Sequence, residues 1–323
     1  MKNYLIAVLT SFLLIPISQA ETSAQNYPNR PITIVVPFAA GGSTDALTRA
    51  LSNKLGDKLG QTIVVENKPG AAGSIGAASV STAAADGYKL LVATSSTHSI
   101  LPLLRNLPYD SVKDFTPIVG LGVAPNVLVV SPTLNVSSVS ELIALAKKNP
   151  GSLSFSSSGT GTITHLIGEQ FLQRAGIDAT HVPYKTGVQA IGDIATGRIS
   201  FAFDSVVWTL PQSQIGKVKA IALTSKDRSA LAPSLPTMSE SGLANFEGTT
   251  WFGIMAPADT PASVVGKLNV AINDVLKDPG MREQLRNAGA VPLGGSPDAL
   301  RQLVRDEMEQ WKPVINQAKI EME

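Results

Sequence analysis

The sequence of 323 residues contains no cysteine and only three histidines. Without cysteine there is no disulfide framework, thiolate zinc site, iron–sulfur ligation or thiol nucleophile. Three scattered histidines do not suggest a histidine-built metal site, so neither a metal nor a cofactor is expected. Charge is also scarce: 26 Lys+Arg and 25 Asp+Glu make up 16% of the chain, with a formal net charge of +1. No run of basic residues stands out, so there is no electrostatic footprint for nucleic acid or an anionic membrane. What is present is apolar material, 44% of residues, enough to offset chain entropy in a globular protein. At this length two domains are the expected arrangement.

The first twenty residues, MKNYLIAVLTSFLLIPISQA, follow the order of a secretory signal. Lys2 supplies the basic start, and Leu5 to Ile17 is an apolar run too short to span a bilayer comfortably. Ser18-Gln19-Ala20 is a small-x-small cleavage site ahead of Glu21. Residues 1–20 are therefore expected to be removed, with cleavage after Ala20. Loss of Lys2 leaves an electrically neutral chain, and the absence of cysteine suits an oxidising compartment such as a bacterial periplasm.

Beyond that segment, strand-like and helical runs alternate, which predicts an α/β fold with largely parallel sheets. Ile32–Val36 reads as a strand that stops at Pro37, and a helix follows to Leu59 with Gly60 as its stop. Strands are expected at Ile63–Val65 and Lys89–Ala93, the latter running into a polar loop, Thr94-Ser95-Ser96-Thr97-His98. A second series starts near Asn126, with a strand at Val127–Val130. A helix follows, opened by the capping box Ser138/Glu141. Strands at Leu153–Ser156, Thr180–Val182, Ile199–Phe203, Ala220–Leu223 and Phe252–Ala256 follow. The C-terminal part reads as helical, with Pro313 expected to kink or end the last helix.

Two strand–loop–helix junctions share a chemistry. One is Val35-Val36-Pro37-Phe38-Ala39-Ala40-Gly41-Gly42-Ser43-Thr44-Asp45. The other is Phe155-Ser156-Ser157-Ser158-Gly159-Thr160-Gly161-Thr162-Ile163-Thr164-His165. Each has glycines and small hydroxyls, lacks Lys and Arg, and feeds a helix N-terminus. Glycine lets backbone N–H groups turn toward one point, and the helix end adds unpaired donors and partial positive charge. Either loop alone fits an ordinary turn with a capping hydroxyl. Two of them in separate halves of one chain point to an anion held in a cleft between domains. The third glycine of GxGxxG, the lysine of a phosphate loop and a GxSxG elbow are all missing.

Longer strings carry a resemblance. Tyr27–Asp45 (YPNRPITIVVPFAAGGSTD), Val64–Val80 (VVENKPGAAGSIGAASV), Tyr109–Ile118, Ser157–Phe171 (SSGTGTITHLIGEQF) and His181–Asp204 occur in order. Together they resemble the Bug, or TctC, family of periplasmic solute receptors of tripartite tricarboxylate transporters. The resemblance covers essentially the whole chain after residue 20. It implies a two-domain Venus-flytrap fold, with a discontinuous first domain (27–125 plus 251–323) and a second domain (126–250). It also implies a small carboxylate held by both loops through N–H groups, hydroxyls and water. Carried over residue by residue, the ligand-binding positions are Phe38, Ala39, Ala40, Gly41, Gly42 and Asp45 in the first loop. In the second they are Ser158, Gly159, Thr160, Thr162 and His165, with Asp204 and Ser205 beyond. The family often has proline where Ala39 and Ala40 stand, and asparagine where Ser205 stands, so the distal end of the pocket is expected to differ.

Several single residues admit two readings. Asp45 in a first helical turn is favourable by position alone, or it orients the ligand loop. His165 orients its loop or packs at a domain edge, and His98 is a candidate for the cleft wall. His181 reads as structural. Trp208 and Trp251 are candidates for an aromatic wall, against the usual core fate of tryptophan. Lys185 reads as a solvated loop lysine, with reach into the cleft as the alternative.

The expected function is capture of a small organic carboxylate in the periplasm and its delivery, by a monomeric receptor, to membrane permease subunits. No catalysis is involved. An exported serine hydrolase built on His98 or His165 is the alternative, and it needs a base, an acid and an exposed nucleophile.

Overall fold

The computed structural model describes residues 26–318 and residue 320. The expected signal segment and its cleavage after Ala20 lie outside the described residues, as does the side chain of Trp208. In chain order the elements are β1 (Ile32–Val36), α1 (Ser43–Leu59), β2 (Ile63–Asn67), α2 (Ser74–Ser81) and β3 (Lys89–Thr94). A π-helical turn, Ser95–Ile100, runs into α3 (Leu101–Leu104) and then β4 (Phe115–Val130). The middle of the chain forms α4 (Val139–Lys148), β5 (Leu153–Ser157), α5 (Ile163–Ala175), β6 (Ala179–Pro183), α6 (Gly187–Ala195), β7 (Phe201–Ser205), α7 (Val206–Gln214) and β8 (Lys219–Leu223). The last elements are β9 (Thr249–Pro257), α8 (Ala262–Lys277), α9 (Pro279–Asn287), β10 (Val291–Gly294) and α10 (Pro297–Ala318). No helix among the described residues is long and apolar enough to cross a membrane.

The strands order as β2-β1-β3-β9-β4-β7-β5-β6, with β10 and β8 also paired to β4. β1 lies parallel to β2 and β3, and β5 parallel to β6 and β7. The centre is antiparallel: β9, β10, β7 and β8 all run against β4. The expected parallel sheets are thus the two outer parts, and the long strands joining them reverse direction. The first half of β4 pairs with β9 and β10, the second half with β7 and β8. This one strand carries the chain from one half of the molecule to the other.

The β1 run is apolar except at Thr33 because both faces are covered. Ile32, Ile34 and Val36 join a core under α1 and α8, while Val35 joins a core with Trp251, Leu300 and Val304. β4 repeats the pattern in the second half. Leu128 and Val130 face a core containing Phe155, Phe171 and Phe201, and Val127 and Val129 face one containing Ala190 and Ile194. Each such buried side chain contributes about 1.5–3 kcal/mol. The last helix belongs to both halves. Leu300 and Val304 pack on the first, and Trp311, Val314 and Ile315 complete the second. It passes through Pro313 to Ala318, so Pro313 does not end it.

Candidate functional site

Both glycine-bearing loops stand at the carboxyl ends of parallel strands, and each is fixed from behind by side chains. In the first, the Asp45 carboxylate accepts bonds from the Gly41 N–H (2.9 Å), Arg49 Nε (3.0 Å) and Asn67 Nδ2 (3.0 Å). Asn67 Nδ2 also donates to the Phe38 carbonyl at 3.1 Å. Burial opposes ionisation of Asp45, but the bonds from Arg49, Gly41 and Asn67 outweigh it and hold the carboxyl below its ordinary range. Asp45 therefore orients the loop, the second of its two readings, and Asn67 is a loop anchor that the sequence did not single out.

In the second loop, His165 Nδ1 accepts the Gly161 N–H (3.2 Å), and Thr164 Oγ1 accepts the Ser158 N–H (3.0 Å). The Ser157 hydroxyl accepts the Gly159 N–H at 3.1 Å and is bonded to His181 Nε2 at 2.7 Å. The two imidazoles stack with centroids 3.7 Å apart. Burial first, and the neighbouring His165 second, lower the His181 pKa to about 3, so it is neutral at physiological pH. His165 is thus a loop-orienting residue, and His181 sits on β6, as its structural reading required.

Between the loops lies a cleft of about 110 Å³. The first two residues of α1, Ser43 and Thr44, and the first two of α5, Ile163 and Thr164, all line it. Neither N-cap residue, Gly42 or Thr162, gives its helix a side-chain acceptor. The N-termini of α1 and α5 therefore open into one cleft without a side-chain cap, and apart from the Ile163 N–H, which Ser96 takes, their first-turn donors are left for an anion. Ten of the twenty lining residues are Ser or Thr, so the polar groups of the wall are mainly neutral hydroxyls. The halves touch directly where the Ile163 N–H donates to Ser96 Oγ at 3.1 Å.

Of the residues expected to bind, Phe38, Ala39, Gly42, Ser158, Thr162, Asp204 and Ser205 line the cleft. Ala40, Gly41, Asp45, Gly159, Thr160 and His165 are not among its lining residues; Gly41, Asp45, Gly159 and His165 are instead part of the hydrogen-bonded frame of the loops. Unexpected members are Thr94, Ser96, Asn126, Thr250, Phe252 and the start of α6, Thr186 to Val188. Lys185 is exposed, as read, yet it also lines the cleft. Asn126, the register partner of Ser205, also lines the cleft, with its Nδ2 donating to the Gly248 carbonyl at 3.3 Å.

Two candidate wall residues are corrected. His98 is fully buried, packed edge-on against Phe115 (4.7 Å) with its Nδ1 bonded to Thr97 Oγ1, and burial lowers its pKa to about 3. Trp251 is also a core residue, its indole N–H donating to the buried Glu307 carboxylate. Burial raises the Glu307 carboxyl to about 7 despite bonds from Ser99, Ser95 and Trp251. The hydrolase alternative finds a serine–histidine pair in Ser157 and His181, but Ser157 is only 3% exposed and its hydroxyl is tied to Gly159. Among the described residues no group of three His, Asp or Glu side chains is placed to hold a metal ion.

Comparison with known proteins gives the same picture. Residues 47–320 match the model of the tripartite tricarboxylate transporter family receptor. Protein BugT of Bordetella pertussis is 36% identical, with 97% of each chain covered. Rpa4515 of R. palustris, solved with adipate, is similar at 35% identity and a TM-score of 0.87, covering 91% of this chain and 99% of that one. MatC of Rhodopseudomonas palustris, solved with bound malate, gives 32% and 0.83, covering 90% of this chain and 100% of that one.

Proposed function

The chain belongs to the receptor family of the tripartite tricarboxylate transporters, and on that premise we propose that its cleft captures a small organic carboxylate and delivers it to the membrane subunits of such a transporter. It is a periplasmic solute receptor and not an enzyme. One observation carries the binding reading: the first turns of α1 and α5 open into one cleft from opposite halves. An anion there meets fixed N–H donors, helix-end partial charge and hydroxyls, inside walls that exclude much of the water. Because the donors come from both halves, the bound acid favours the closed population over the open one.

The moving units on this reading are 27–125 with 251–323 and 126–250, with β4, β9 and α10 as the crossings between them. Phe38, Ala39, Gly42, Ser158 and Thr162 approach the carboxylate. Ala40, Gly41, Asp45, Gly159, Thr160 and His165 hold the loops, and Asp204 and Ser205 meet the body of the ligand. The receptor acts as a monomer after removal of residues 1–20. The test is thermal stabilisation across a panel of organic acids, with native mass spectrometry of protein purified from its host. A ligand that binds only the folded state raises apparent stability by about 2.7 kcal/mol at a hundredfold excess over Kd. Stabilisation by carboxylates, and a carboxylic acid carried through purification, are expected. Indifference to every acid would contradict the reading.

A further inference from the structure

The cleft has one carboxylate in its wall, Asp204 at the end of β7. Its surroundings differ from those of Asp45. Asp45 has donors from Gly41, Arg49 and Asn67, which make it a finished structural element. Among the described residues Asp204 accepts one bond, from the Ser205 N–H to Oδ1 at 2.7 Å. No ion pair among the described residues involves it, although Lys185 lines the same cleft. Its other oxygen rests against the α-carbon of Gly187, where a Cβ would lie 1.3 Å away. The residue at 187 thus leaves room for a carboxylate that the protein's own donors do not fill. Burial, partly offset by the Ser205 N–H, pushes the carboxyl up to about 6, as expected of an acceptor short of donors.

We propose that the captured acid carries a hydrogen-bond donor on its body, an ammonium or a hydroxyl, which Asp204 accepts while the helix N-termini hold the ligand's carboxylate. The inference rests on the carboxylate reading above and narrows it to amino or hydroxy acids. Lys185 and Asp204 are the two formal charges in the wall. A second bare carboxylate beside Asp204 would face repulsion, whereas a donor relieves an under-bonded acceptor. Sites built to satisfy a ligand's hydroxyl or amine discriminate strongly against the analogue lacking it, by up to about 10⁴–10⁵. Asp204 is only partly shielded from solvent, which lowers that to about tenfold or more.

The experiment is calorimetry at neutral pH with matched sets: propionate, lactate and alanine; succinate, malate and aspartate; glutarate, 2-hydroxyglutarate and glutamate. Wild type, Asp204→Asn and Asp204→Ala are compared, with circular dichroism melts as the folding control. Within any set that binds, the substituted acid is expected to bind at least tenfold tighter, and Asp204→Ala to erase that preference. Asp204→Asn separates the two donors: it keeps a hydroxy-acid preference and loses an amino-acid one. An unsubstituted acid that binds as well as its substituted partners overturns the inference, as does a preference that survives in Asp204→Ala. In both of those cases acids still bind. Binding by none of them, with no carboxylic acid carried through purification of the native protein, overturns the carboxylate reading itself.

Discussion

Replacing Asp45 by alanine separates loop-holding from ligand contact. The variant loses an acceptor for the Gly41 N–H, for Arg49 and for Asn67. Arg49 is 52% exposed, so its ion pair adds little to stability. The Gly41 N–H is exposed enough for water to replace the carboxylate, leaving a net loss near 1 kcal/mol for that bond. The fold should therefore lose about 1–2 kcal/mol, read as a shift in the urea midpoint. Affinity should fall for a different reason. The first loop keeps its tether from Asn67 to Phe38 but loses the one at Gly41. Re-ordering about one residue on binding costs about 1–2 kcal/mol, roughly a tenfold rise in Kd. Asp45→Asn keeps an acceptor for Gly41 and should bind within about threefold of wild type. Calorimetry with the acid recovered from native protein measures both variants. Wild-type affinity in Asp45→Ala would refute the tether, and equal large losses in both variants would mean that the charge itself serves the ligand.

Three further outcomes follow from the same geometry. Gly41 and Gly159 have φ of +84° and +121°, yet a Cβ at either meets nothing closer than 3.7 Å, so valine there should leave the protein folded at a backbone cost of about 1–3 kcal/mol while weakening binding in calorimetric titration; unchanged affinity in both would reduce the loops to turns. Glu307 is raised from its ordinary 4.5 to about 7, so its contribution to stability is present below about pH 4.5 and lost as pH rises through 7. Glu307→Gln should therefore gain on wild type by up to about 3 kcal/mol between pH 5 and 8.5, and parallel denaturation curves would contradict this. With one lysine and one aspartate as the formal charges in the cleft wall, Kd should change little with sodium chloride; a steep dependence that vanishes in Lys185→Ala would show that a formal charge carries recognition.

The sequence made the frame of the site readable because the signals there are local. Ile32–Val36 stops at Pro37, Gly60 closes α1 in the left-handed conformation, and Gly176 closes α5 in the same way. The Ser138 hydroxyl accepts the Glu141 N–H as the capping pattern required, while the Glu141 carboxylate takes the N–H of Ser137 in place of Ser138. The first half of β4 was not readable, because Pro117, Gly120, Gly122 and Pro125 look like loop. An antiparallel strand with register shifts near Pro117 and Gly120 accommodates them. The polar Thr94–His98 stretch reads as loop, but it folds into a buried π-helical turn capped reciprocally by Thr94 and Thr97. The cleft wall was only half readable for a topological reason. Asn126 on β4 and Thr250 and Phe252 on β9 are far apart in sequence and meet only because those two strands pair. His98 shows the converse. It follows a strand near the cleft, but its ring turns inward among Tyr109 and Phe115.

The central claim is that one carboxylate is held between the N-termini of α1 and α5, and a crystal structure with the acid that accompanies the native protein tests it most directly. The expected result places a ligand carboxylate within hydrogen-bond distance, directly or through one water, of donors from both Ser43–Thr44 and Thr164. A carboxylate seated on Lys185 alone, or an acid bound outside this cleft, would contradict the account.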